Sequence, residues 1–156
     1  MQPLKKLCGK TAIRFSRADF MLDDKEDEHH FGPLQIQFQD NSFFILDETG
    51  DAETISFSAE PLVFEHSGRI DTLYWKEIVL NDRQNWNSIV NKKILTVYAL
   101  YSILKSDSRL FGIKFLFENG ITLSYFNCYD DSTAVFDNDS TLIKYIDDLN
   151  LEWKEI

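Results

Sequence analysis

The sequence predicts a β-rich α+β domain. It consists of two tandem copies of an antiparallel hairpin and meander unit with one or two short helices, residues 1–78 and 79–156, packed as one pseudo-twofold body. Three observations predict it. Trp75-Lys76-Glu77-Ile78 returns as Trp153-Lys154-Glu155-Ile156, an offset of 78 in a chain of 156. Further matches fall in the same order: Leu34 to Asn41 lies opposite Ile113 to Gly120 at an offset of 79, and Asp51, Thr54 and Phe57 lie opposite Asp130, Thr133 and Phe136. Gly9 to Ile13 matches Asn91 to Leu95 more loosely, and Phe31-Gly32 matches Phe111-Gly112. The offset changes only across polar stretches, where loops accept insertions. Finally, short alternating apolar runs separated by Asn, Asp and Gly turn residues recur through both halves.

In the first half, Ala12, Ile13 and Phe15 predict a strand near residues 10–17, and Phe20-Met21-Leu22 a short second one. Asp23 to His30 is too polar to bury and reads as an exposed loop. Its adjacent His29 and His30 point to opposite sides of an extended chain and suit a single metal ion poorly. Leu34, Ile36 and Phe38 alternate with three glutamines as a half-buried strand. Asp40-Asn41 turns the chain into a return strand, Phe43 to Asp47. Thr54 to Phe57 and Leu73 to Ile78 are the remaining strands, and Pro61 to Phe64 fits either a short helix or a strand.

In the second half, Asn81 or Asp82 is placed to cap a short helix carrying Trp86, Ile89 and Val90. Ile94 to Leu104 reads as a long strand. Asn119-Gly120 between two apolar runs is the signature of a type I′ hairpin, in which both turn residues take positive φ. Thr133 to Phe136 follows as a strand. Asp139 or Ser140 caps a helix over 140–149 whose inward face is Leu142, Ile143, Ile146 and Leu149. Asn150 ends it before the closing strand, Leu151 to Ile156.

Composition narrows the classes of function. The chain is 44% hydrophobic and 14% aromatic, which excludes disorder. The net charge is −10, with 8 basic and 15 acidic side chains in residues 1–78 and 8 and 11 in residues 79–156. Such a surface repels phosphate backbones and anionic membranes and favours a basic partner. Cys8 and Cys128 occupy unmatched positions with no CxxC, so neither a disulfide framework nor a zinc site is expected. With no apolar leader and no run of membrane-spanning length, the expected compartment is the cytoplasm.

No catalytic or cofactor motif is present: no phosphate loop, dinucleotide fingerprint, GxSxG, HExxH or calcium loop. No cofactor and no metal are expected. The reading is a non-enzymatic, acidic protein-binding module, comparable in size and charge with the immunity proteins that inhibit basic bacterial toxins. Its expected interaction residues are Asp24, Glu26 and Asp27 in the acidic loop, and Phe44 and Tyr125 as outward aromatics of the pairs Phe43-Phe44 and Tyr125-Phe126. The alternative is a small-ligand site or hydrolase in the cleft between the copies, with Asp51 and Asp130 as facing carboxylates, although Asp is also common in plain turns. A homodimer through one exposed sheet stays open.

Overall fold

A computed structural model describes residues 2–22, 25, 31–49, 54–63, 73–103, 109–128, 131–137 and 139–156. The strands are β1 (Thr11–Leu22), β2 (Leu34–Phe38), β3 (Phe43–Glu48), β4 (Ile55–Ser58), β5 (Leu73–Val79), β6 (Lys92–Ser102), β7 (Leu110–Phe117), β8 (Thr122–Cys128), β9 (Asp131–Phe136) and β10 (Leu151–Glu155). Two helices accompany them, α1 (Gln2–Lys5) and α2 (Ser140–Leu149). All strand pairings are antiparallel.

The ten strands form one sheet in the order β4-β3-β2-β1-β6-β7-β8-β9, with β5 added on β1 and β10 on β6. Residues before 80 thus supply the succession β5-β1-β2-β3-β4, and residues after 91 supply β10-β6-β7-β8-β9. The two successions join where Thr11 and Ala12 pair with Lys93 and Lys92. The sheet curls about one apolar interior. Phe44 on β3 meets Phe115 on β7 with ring centroids 6.2 Å apart, so strands distant in the sheet order face each other across the core.

The two hairpins turn alike. Asn41 N donates to Phe38 O and Gly120 N to Phe117 O, both at 2.9 Å, and the last turn residue has positive φ in each: 62° at Asn41 and 84° at Gly120. Asn119 is not in the left-handed region. The Asn-Gly turn is therefore a type I turn closed by a left-handed residue with a bulge, not the expected type I′ turn. The extra loop residue relieves Asn119 of positive φ.

Several elements differ from expectation. The two strands predicted near 10–17 and at 20–22 are one, within which Arg17 and Asp19 neutralise each other inside the core at 2.9 Å. The helix expected around Trp86 is a single 3-10 turn, Trp86–Ser88, and Asn85 makes no side-chain cap to it. Asn81 works elsewhere: its side chain accepts from Phe15 N at 2.8 Å and donates to Ile13 O at 3.0 Å, which fixes the chain leaving β5 against β1. Residues 61–63 are neither helix nor strand.

Helix α2 starts and stops as its sequence directs. The Asp139 side chain accepts from Thr141 N and Leu142 N, and Asn150 ends the helix in the left-handed region at φ 52°. Its buried face is Leu142 and Tyr145, with Ile146 half-buried, while Ile143 is 50% and Leu149 41% exposed. Tyr145 turns the helix away from the expected Ile143–Leu149 face because its ring packs on Phe126, with centroids 5.2 Å apart.

Candidate interaction surface

The space between the two strand successions is filled with rings. Phe31 stacks on Trp86 at 5.9 Å, Trp86 meets Phe15 at 5.5 Å and Phe136 at 5.1 Å, and Phe31 meets Tyr125 edge-on at 6.2 Å. Burying such side chains, each held by several neighbours, is the main stabilising term of the fold.

A polar knot sits among these rings. Arg17 lies on the inner side of β1, ion-paired to Asp19, with side chains 7% and 1% exposed. Its guanidinium also donates to Phe31 O at 2.9 Å and lies 5.3 Å from the Phe31 ring centre. Next along the chain, Gly32 O accepts the Tyr125 hydroxyl at 3.0 Å and the Ser132 hydroxyl at 3.4 Å. Phe31 N donates to Ser132 O at 3.3 Å, so residues 31–33 tie β1 to β8 and β9. Gly32 has φ +73°, and a Cβ there would stand 2.3 Å from Ala18 O, so no other residue fits without displacing β1. Burial, with the nearby charges of Asp47 and Glu48, holds the Tyr125 hydroxyl protonated well above the usual phenol range, against the opposing hydrogen bond with Ser132. This arrangement joins the two parts of the sheet. Arg17, Asp19, Tyr125 and Ser132 are all buried.

The expected outward aromatics take other positions. Phe44 is 3% exposed and packs on Phe57 and Phe115. Tyr125 is fully buried in the knot. Neither contributes to a surface, because both lie on the inner side of the curled sheet. Phe126, on the other side of β8, is covered by α2. Asp24, Glu26, Asp27, Asp51 and Asp130 lie outside the described residues, as do all three histidines. Among the described residues, no cluster of three or more His, Cys, Asp or Glu is placed to hold a metal ion, and no helix is long and apolar enough to cross a membrane.

The outer surface was harder to anticipate. The ten strands carry 7 basic and 7 acidic side chains, while the rest of the chain carries 9 basic and 19 acidic. The strands are therefore neutral, and the net charge of −10 belongs to residues outside them. On the framework itself, the basic groups near the start of β1 are partly matched: Lys10 Nζ contacts Asp40 at 2.7 Å and also reaches the Ser42 hydroxyl. The Lys10 hydrogen bond, reinforced by Ser42, holds the Asp40 carboxyl far below the usual carboxylate range.

The framework's exposed apolar side chains include Trp75 and Val79 on β5, Leu95 on β6, and Ile103, Ile143 and Leu149 around α2. Trp75 is 50% exposed, whereas its counterpart in the repeated tetrapeptide, Trp153, is half-buried against the α2 cluster. Lys114 Nζ lies 4.6 Å from the Trp153 ring centre and 4.8 Å from that of Tyr98. A lysine facing two rings across three strands gave no signal in the sequence, because β10 joins β6 from the far end of the chain. Compared with known protein families, characterised proteins and solved structures, the chain matches none.

Proposed function

We propose that this chain is a non-enzymatic, acidic protein-binding module whose partner is basic, acting in the manner of an immunity-type inhibitor in the cytoplasm. The observation that carries the reading is the division of charge: neutral strands, and segments outside them with 19 acidic against 9 basic side chains. Charge concentrated in connecting segments on a rigid scaffold raises the association rate with an oppositely charged protein and suppresses like-charged competitors. The acidic stretch with Asp24, Glu26 and Asp27 is the densest of these segments and is the proposed first contact. A small-ligand or hydrolytic site between the halves, with Asp51 and Asp130, has less support, since the described residues fill that space with aromatic rings.

We also propose that the two halves are copies of one unit, meeting near residue 78. The supporting observations are the matching strand successions, the matching hairpin turns at an offset of 79, and the repeated tetrapeptide. In both tetrapeptides the tryptophan pairs with the first strand of its own half, Trp75 with Phe20 and Trp153 with Leu100.

The functional reading is tested by affinity capture from native lysate at low and at high salt, with the captured proteins identified by mass spectrometry. The expected result is one dominant basic protein, retained at low salt and released at high salt. Capture of an acidic or neutral protein, unaffected by salt, would remove the charge argument.

A further inference from the structure

We propose that the outer side of β6, β7 and β10 around Lys114 is a second docking site, one that receives a carboxylate carried beside an apolar group on a partner polypeptide. The site goes beyond the acidic-segment reading and does not depend on it, because it needs a partner group of opposite sign.

The strand register assembles it. Lys114 pairs with Tyr98 on one side and Ser124 on the other, so the three side chains share one side of the sheet. Trp153, opposite Leu100 on β10, brings its ring alongside. The Lys114 ammonium faces both rings, and desolvation by burial pushes its pKa down. The quadrupoles of the two rings act the other way and favour the charged form. No carboxylate among the described residues pairs with this ammonium. That sets it apart from Lys10, Arg14, Arg17 and Lys154, each of which has a carboxylate within 3.0 Å. Beside it, the Ser124 hydroxyl is buried and has no hydrogen-bond partner.

A half-buried cation without a carboxylate partner is complementary to a carboxylate, which accepts from its ammonium; the Ser124 hydroxyl lies beneath the surface and out of its reach. Trp and Tyr faces flanking the charge suit an adjacent apolar or aromatic group, and such residues anchor protein interfaces. The charge defines the occupant: a basic group would meet the Lys114 ammonium head-on. Glu155, exposed and opposite Tyr98 on the same side of the sheet, is the one described carboxylate close enough in register to compete from within the chain.

The test uses the full chain and three small probes with the same phenyl group: 3-phenylpropionate, 3-phenylpropanol and 2-phenylethylamine. Each is titrated while the indole N–H resonances are followed, with Trp153 assigned through W153F. The expected result is a saturable shift of the Trp153 resonance by the carboxylate, at an affinity at least about tenfold above that for the amine. K114M should abolish that preference and K114R retain it, both with an unchanged thermal midpoint. E155Q should tighten carboxylate binding by removing the internal competitor. Equal shifts with all three probes, no saturable shift with any, or an undiminished preference in folded K114M would overturn the proposal. None of these outcomes bears on whether a basic partner binds the acidic segments.

Discussion

The outer sides of the two strand successions solve the same covering problem with different chemistry. In the second, the row Trp153, Leu100, Gly112, Phe126 and Thr133 is largely apolar and lies under α2, whose Leu142 and Tyr145 pack on Leu100 and Phe126. Gly112 makes the cover possible, since a Cβ there would stand 2.9 Å from the Phe126 Cβ. In the first, the row Val79, Ser16, Gln35, Ile45 and Ser58 is mostly polar. Its Gln35 donates to the Ser16 hydroxyl at 3.3 Å and accepts from Leu62 N at 2.8 Å, so polar pins hold the chain that follows β4. The inner sides differ in the same sense: the first succession carries Arg17 and Asp19 where the second presents Val97 and Ala99. One strand plan can thus be held by apolar area on one side and by directed hydrogen bonds and ions on the other. The polar solution is the less tolerant of change, since each broken pair leaves a buried group unsatisfied.

The contrast can be broken at its strongest point first. Asp19→Ala leaves the Arg17 guanidinium buried without its carboxylate and should cost about 3–5 kcal/mol in chemical denaturation. If the pair is replaceable by apolar packing, R17M/D19L should recover much of that loss, and a double variant as unstable as the single one would deny that the ion pair is the cause. Leu142→Ala removes apolar area under α2 and should cost about 2–5 kcal/mol, with hydrogen exchange rising first in α2 and then in β10. A loss spread evenly over both successions would contradict the separate covers described above.

Gln35→Ala should cost about 1–3 kcal/mol, because the Ser16 hydroxyl and Leu62 N lose their partner, and exchange should rise at Leu62 while α2 stays protected. Tyr125 adds a pH signature at the junction of the two parts. Its folded pKa is raised, so the folded state holds the proton longer, and the associated stability is present below the ordinary phenol pKa and is lost as pH rises above about 10. Tyr125→Phe should therefore flatten the alkaline limb of a stability–pH profile, at a cost near neutrality of about 1 kcal/mol for the lost hydrogen bond to Gly32 O. An alkaline limb unchanged in the variant would place that titration elsewhere.

Much of this architecture was legible from local chemistry. Alternation located β2, β3, β7 and β8, the capping Asp139 and terminating Asn150 bounded α2, and the repeated tetrapeptide marked β5 and β10. The failures concern neighbours distant in sequence. Whether Phe44 or Phe43 points inward, and whether Tyr125 and Phe126 are both covered, depends on how the sheet curls and on α2 lying over one side, not on period-two alternation. The gap left between the strand near 10–17 and Phe20 is closed in β1, where Arg17 and Asp19 neutralise each other, a pairing that hydropathy alone does not reveal. The short α1 offered no periodicity to detect, although its Leu4, with Leu7 just beyond it, plugs one side of the core. For the proposed binding surfaces, the acidity was plain in composition, whereas Lys114 with its two rings is a product of strand register alone.

The measurement that bears most directly on the central claim is the association rate with the captured basic partner, as a function of ionic strength, for the native chain and for D24N/E26Q/D27N. The triple variant should show a slower on-rate, a shallower salt dependence and an almost unchanged off-rate. An unchanged on-rate with the same salt slope would show that the acidic segment takes no part in recognition.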